Sequence, residues 1–381
     1  MRTVRTPLVP LAALLVVVSF GMSAHGVVRA QSVAQVVASG LDNPRGLAFG
    51  PEGALYVTEA GRGGTGPCVV IGAGENVCFG LTGALTRVWK GKQERIFSGL
   101  PSLAHPPGST NAGQATGIQD VSFQGRGNGY VVFGLARDPA TRAQLGPAGA
   151  AMGHLARFTP GGQGGLVADI SGFEAEANPD GGAGDSNPYA VLALPQGTVV
   201  ADAGANAVFG VLPNGTRLTL ATFAPRPNPL FPTPGPGGPT FQAVPNALTQ
   251  GPDGAIYVGQ LTGFPFAVGV ANVYRLVPGQ ARTVYLGGFT NIIDLAFGPD
   301  GSLYVLQFAA NGIRSGPFSS IVRVRPNGDR STLDVAVPPG PPGVPPGLFA
   351  ATALTVGPDG ALYVSNRGTF VGIGEVLRIE P

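Results

Sequence analysis

The sequence predicts an all-β chain: a six-bladed β-propeller with four-stranded antiparallel blades, closed into a ring by a strand from the N-terminus. Three observations lead there. Glycine at 62 and proline at 37 of 381 residues, with 44% apolar and only 12% charged residues, indicate many tight turns between short strands and exclude disorder. One hairpin phrase recurs along the chain. A lone strand at the N-terminus matches a strand that is missing at the C-terminus.

The first 30 residues differ in kind from the rest. Arg2 and Arg5 precede an apolar run from Leu8 to Met22, and Val28-Arg29-Ala30 then offers small-residue cleavage before Gln31. This is the pattern of a signal peptide over residues 1–30, with the propeller over 31–381. The run is shorter than the ~20 apolar residues that a spanning helix needs; a retained N-terminal anchor is the other reading. The expected location is secreted or otherwise extracytoplasmic. Removing Arg2, Arg5 and Arg29 leaves 20 basic residues against 21 acidic ones. Lys90 and Lys92 are the only lysines. No concentrated positive field is available for nucleic acid, and no later segment reads as a membrane span.

The recurring phrase is two apolar strands around a Gly-Pro-acid-Gly turn. It appears as GLAFGPEGALYV from Gly46, ALTQGPDGAIYV from Ala247, DLAFGPDGSLYV from Asp294 and ALTVGPDGALYV from Ala353. Degenerate copies are DVSFQGRGNGYVV from Asp120 and AVLALPQGTVVA from Ala190. Proline presets φ at the first central position of the turn, and glycine supplies the positive φ that closes it. A second strand pair follows each of the first five copies, giving four strands per unit, the pattern of a propeller blade. The sixth copy has a third strand, Glu375–Ile379, and no fourth. Val33–Ala38 stands alone before the first hairpin and is expected to supply it, which would remove two unpaired sheet edges.

With strands named a to d from the channel outward, the long segments are all b–c loops or d–a links. Examples are Ala60–Thr82, Gly99–Thr116, Gly134–Met152, Gly172–Pro188 and Phe223–Pro245. In an up-and-down blade both classes lie on one face of the disc. Loops longer than connectivity requires are commonly functional; covering strand ends is the plainer alternative. Cys68 and Cys78 lie in the first such loop and read as a disulfide in an exported chain, worth roughly 2–3 kcal/mol by loop closure. A redox pair is the alternative reading.

The strand–GPDG–strand unit resembles six-bladed propellers of the NHL and gluconolactonase types. LDNPRGLAFGPEGALYVTEAGRGG from Leu41, NPDGGAGDSNPYAVLA from Asn178, LTGFPF from Leu261 and GFTNIIDLAFGPDGSLYVL from Gly288 resemble the ScyD/ScyE family over nearly the whole of 31–381. The resemblance implies an exported propeller and does not fix an activity.

Aligning the copies places polar residues at the start of strand a, by the channel mouth. One column holds Arg45, Gln119, Tyr189, Asn246, Ile293 and Thr352. The next holds Asp120 and Asp294, three blades apart and therefore opposite each other. A third holds Asn43, Asn187 and Asn291. Two facing carboxylates suit a shared divalent cation such as calcium, or acid–base work. Capping their own turns is the other reading. The ligand-binding set expected at this mouth is Arg45, Glu59, Asp120, Asn187, Tyr189, Asn246, Asn291 and Asp294, with Asp120 and Asp294 as metal ligands. Gln260, Gln307 and Asn366 end their b strands beside Glu59 and should rim the same face. The lactonase resemblance implies calcium held by residues at Asp120, Asn187, Asn246 and Asp294, but Asn43-Pro44-Arg45 stands where those enzymes carry a glutamate. The segment Asp180–Asp185, with Glu174 and Glu176, hints at calcium but lacks EF-hand spacing; a solvated loop is the first reading and a calcium site the second.

The expected function is binding of a small molecule or protein partner at the loop-rich mouth by a monomer, without nucleic acid. The alternative is an enzyme of hydrolase, lactonase or oxidoreductase type. It would act on a small metabolite, with Asp120, Asp294 and Tyr189 as polar groups and Phe264 and Phe266 as aromatic walls.

Overall fold

The computed structural model describes residues 31–381 apart from 72–74, 110, 126 and 232–237. The expected signal segment, residues 1–30, lies outside the described residues. Six four-stranded antiparallel blades form the ring. Their innermost strands are Pro44–Phe49, Ile118–Gln124, Pro188–Leu194, Pro245–Gln250, Ile292–Phe297 and Ala353–Val356. Second strands such as Leu55–Glu59, Ile256–Gln260 and Leu303–Gln307 are buried at every residue. A neighbouring blade covers each of their faces, so their sequences run continuously apolar instead of alternating. Six apolar clusters fill the six blade-to-blade interfaces. Ile118, Val131 and Phe158 meet Leu85 and Tyr56 between the first two blades, and Leu362 and Leu377 meet Leu306 and Ile321 between the last two.

The turn motif does more than reverse the chain. Gly53, Gly254, Gly301 and Gly360 take φ values of +82°, +77°, +76° and +78°, the left-handed region that glycine enters without a Cβ clash. The preceding acid binds forward into the blade. Asp253 accepts from the Tyr257 hydroxyl and from Arg275 Nε, and Asp359 from Tyr363 and Arg378. Asp300 pairs with Arg323. Asp253 and Asp359 therefore tie strands b and c to the a–b turn, and Asp300 ties strand c to it.

Ring closure follows the expected seam. Gln35–Leu41 is the outer strand of the sixth blade, pairing antiparallel with Gly374–Ile379 from Gln35 opposite Arg378 to Leu41 opposite Gly374. The N-terminal strand is not the single piece Val33–Ala38, however. Ser32–Val33 pairs in parallel with Val335–Ala336, a separate short strand just beyond the outer strand of the fifth blade, before the chain crosses to the sixth.

The first blade departs furthest from expectation. Its third and fourth strands run Glu75–Trp89 and Lys92–Ala104, with Cys68–Ile71 added at the side. Much of the two expected loops 60–82 and 99–116 is therefore strand. The disulfide joins Cys68 to its register partner Cys78, as expected. The extension is ordered because Val69, Val77, Phe79 and Leu103 pack on Leu135, Leu145 and Met152 from the long loop of the second blade. No helix among the described residues is long and apolar enough to cross a membrane.

Candidate functional site at the channel mouth

The first turns of the inner strands converge on the axis. Gly46, Gln119, Asp120, Tyr189, Ala190, Asn246, Ile293, Asp294, Thr352 and Ala353 line one small cavity. Both aligned columns therefore meet there. Side chain–backbone bonds hold the ring: Thr58 donates to Gln119 O, Thr352 to Pro44 O and Ser365 to Arg45 O, each across a blade boundary.

Asp120 and Asp294 behave as a matched pair. Asp120 Oδ1 accepts from its own neighbour Val121 N at 2.8 Å, and Oδ2 from Val191 N of the next blade at 2.8 Å. Asp294 repeats the pattern with Leu295 N at 2.8 Å and Leu354 N at 2.7 Å. Each carboxylate is a clamp between adjacent blades, on opposite sides of the axis. Burial raises both acids. Asp120 stands well above the usual carboxylate range, pushed further by the charge of Asp294 and restrained by its two amide donors. Asp294 is raised to about 7 by burial, against the same kind of donors. The neighbouring positions are small for a reason. A Cβ on Gly46 would lie 2.1 Å from Asp120 Oδ1 and 2.6 Å from its Cα.

Arg45 is buried, donating to Gly368 O at 3.0 Å and Ala115 O at 2.7 Å, and burial lowers its pKa. Burial raises the Tyr189 phenol; the Arg45 cation opposes this, and Asp294 and Asp120 add to it. Gln119 Oε1, both polar atoms of the Asn246 amide, and Oδ1 of Asn43, Asn187 and Asn291 are buried without a hydrogen-bond partner. Part of the asparagine column has a backbone explanation. Asn43 and Asn291 sit at φ of +51° and +45°, a conformation that asparagine tolerates best after glycine. Val244 and Ala350 hold the same aligned position at +53° and +49°.

Glu59 is not a mouth residue. It is fully buried, accepting from Asp42 N, the Thr86 hydroxyl and both Arg95 Nε and Nη2. Gln260, Gln307 and Asn366 do not rim the face either. Gln307 takes the amide of Thr290, Asn366 that of Phe349, and Gln260 donates to Ala243 O. A polar side chain ending strand b thus fastens the incoming link, and it is buried because the link covers it. Asp202 of the third blade has the same role through Asn187 N at 2.6 Å. Sequence reasoning passed over Asp202 because its copy is degenerate, although it falls in the Glu59–Gln260–Gln307 column. Phe264 and Phe266 pack on each other and Phe264 on Phe231. They belong to the loops and do not wall the channel.

The cavity at the ring measures about 10 Å³, roughly the least that holds one water. It admits no metabolite between the carboxylates. The donor set also does not fit a lactonase-type calcium: a buried guanidinium stands in the glutamate position, and all four carboxylate oxygens already bind amides.

No protein-family profile matches the sequence, and no curated protein matches it. Among solved structures, a provisionally assigned oxidoreductase (glucose dehydrogenase) from Thermus thermophilus is similar at 17% identity and a TM-score of 0.53, covering 92% of this chain and 100% of that one. A provisionally assigned gluconolactonase is similar at 14% identity and 0.50, covering 92% and 93%. A Bacteroides thetaiotaomicron protein of unknown function is similar at 10% identity and 0.51, covering 92% and 76%. The shared feature is the fold: the structural neighbours include propellers of gluconolactonase type.

Proposed function

We propose that the chain is an exported propeller of the ScyD/ScyE type that binds a partner with an apolar surface through its loop-bearing face. One observation carries the reading. The links and b–c loops around the fourth and fifth blades expose Leu230, Phe264, Val268, Ile313 and Phe318 at 57, 52, 61, 37 and 42%. Two contacts tie these loops together: Phe231, next to Leu230, stacks on Phe264 with ring centres 6.4 Å apart, and Val268 Cγ2 lies 3.1 Å from where a Cβ on Gly312, next to Ile313, would sit. Clustered exposed apolar groups mark interaction surfaces, whereas scattered ones do not. The disulfide fits an oxidising compartment. The test is affinity capture from the extracellular fraction with the wild type and with Phe264→Ser/Phe318→Ser. The reading predicts a specific partner that the variant loses; equal capture by both would remove it.

A second reading, an enzyme acting on a small metabolite, draws on the raised carboxylates, since a group near 7 suits general-base work. The names of the similar structures suggest sugar lactones and sugars as substrates. The narrowness of the ring weighs against it. Lactone hydrolysis or sugar oxidation lost in Asp294→Asn would favour this reading over the first.

A further inference from the structure

Five blades repeat one pair of side chains. A tyrosine of strand b stands in register opposite an arginine of strand c: Tyr56 and Arg87, Tyr130 and Arg157, Tyr257 and Arg275, Tyr304 and Arg323, Tyr363 and Arg378. The third blade has Val199 opposite Gly210 instead. In four of the five, the a–b turn supplies an acid to the pair. One oxygen of Asp253 accepts from the Tyr257 hydroxyl at 3.3 Å and from Arg275 Nε at 2.7 Å. One oxygen of Asp359 accepts from Tyr363 at 3.1 Å and from Arg378 Nε at 2.8 Å. Asp300 takes Arg323 Nη2 at 2.5 Å. In the first blade Glu52 takes the Tyr56 hydroxyl, and Arg87 turns to Glu94 of strand d at 3.0 Å.

The second blade keeps the tyrosine and the arginine and lacks the acid. Its turn reads Gln124-Gly125-Arg126-Gly127-Asn128. Arg126, which lies outside the described residues, holds the acid's place in the repeat. On the other side, Gly165 of strand d stands opposite Arg157, where Glu94 stands opposite Arg87. Neither acid that serves the first blade has a counterpart here, and among the described residues the Arg157 guanidinium makes no ion pair or hydrogen bond. An exposed arginine is ordinary. What marks this one is the space beside it. A cavity of about 130 Å³ lies between the second and third blades, with Tyr130 and Arg157 on one wall and Val167, Pro195, Leu212 and Pro213 on the other. It is roughly ten times the least volume that admits one water. Val167 and Leu212 are 37 and 39% exposed, so the apolar wall is open to solvent.

We propose that this cavity binds a small carboxylic acid with a short apolar body. Its carboxylate takes the place that the turn acid holds in the fourth and sixth blades, accepting from the Tyr130 hydroxyl and the Arg157 guanidinium. Charge-assisted bonds of this kind are the strong ones, and the body covers Val167 and Leu212, which adds the gain from removing apolar surface from water. An inorganic anion would leave the apolar wall uncovered, and a neutral ligand would leave the guanidinium without its countercharge. The site lies beside the a–b turn, on the opposite side of the disc from the long loops, so the inference stands apart from the function proposed above.

Titration with butyrate, followed by NMR of the arginine Nε–H groups, tests it, with butyramide as the neutral control of the same shape. Butyrate should shift one arginine signal saturably, and that signal should be absent from Arg157→Gln. Arg157→Gln should weaken binding at least about tenfold and Tyr130→Phe about threefold or more, the losses of a charged and a neutral donor. Arg157→Gln breaks no bond of the fold and should melt with the wild type. Asp294→Asn should leave butyrate binding intact. The inference is overturned if butyrate does not bind, if butyramide binds as tightly, or if Arg157→Gln binds as the wild type does. It is also overturned if sulfate binds as tightly as butyrate, which would make the site a bare cationic patch.

Discussion

Asp294 and Glu174 are both acids raised by burial, to about 7 and about 8, and their surroundings are opposite. Each oxygen of Asp294 meets a backbone amide, one of them from the next blade. Neither oxygen of Glu174 meets anything. A shifted carboxylate thus has two physical meanings. Where the backbone completes it, it holds strands together. Where nothing completes it, it stays an unmet polar group inside the fold. The amide count around each oxygen separates the two cases, and the shift alone does not.

The largest expected effect tests the clamp. Asp294→Ala leaves the buried Leu354 amide without its acceptor and opens the blade boundary, so it should cost ~2–4 kcal/mol in a denaturant titration. Gly46→Ala strikes the same kind of clamp from the neighbouring blade. Its Cβ would overlap Asp120, and overpacking of this kind costs ~1–3 kcal/mol. Glu174→Gln should have the opposite sign, being neutral or stabilising. If Asp294→Ala and Glu174→Gln destabilise equally, the distinction between the two acids fails.

A smaller effect is pH dependence. The folded pKa of Asp294, about 7, lies above its unfolded value of ~3.9. Between these values the folded state keeps a proton that the unfolded state has lost, so stability falls as pH rises. The stabilising contribution is complete below the unfolded pKa and gone above about 7; Glu174 extends the decline to about 8. Melting temperature should therefore drop from about pH 4 to about pH 8, and Asp294→Asn should flatten the lower part of that slope. The smallest effect expected on the ring is reduction of Cys68–Cys78. The bond lies in the side hairpin of the first blade, so thiol reduction should loosen amide-exchange protection there and leave the ring transition nearly unmoved.

The ring, its blade count and its closing seam were legible because the Gly-Pro-acid-Gly turn repeats with a fixed register to the apolar strands. Converging columns at the mouth followed from the same alignment. What alignment cannot supply is the direction of a side chain at a strand end. Glu59 shares its height with the channel ring, but its carboxylate turns back toward Arg95, because the long fourth strand of the first blade brings that arginine over it. Nor does spacing reveal room: Asp120 and Asp294 face each other as expected, across a gap that only the packed side chains could define. Glu174 and Asp180 stood out as acidic residues, while Asp202 was hidden in a degenerate repeat. Only the fold places Asp202 and Asp180 where their charges raise Glu174.

The seam between Gln35–Leu41 and Gly374–Ile379 has a kinetic consequence. It joins the two ends of the chain, and contacts this distant in sequence form slowly because the intervening loop must be closed first. The ring should therefore lock late, and once locked it should resist opening, since release of either terminus exposes a bare sheet edge. A permuted chain, with residue 381 joined to residue 31 and new ends cut in the link 225–239, would turn that seam into an ordinary local hairpin. Such a chain should fold faster to the same ring, with its slow step moved to the new cut.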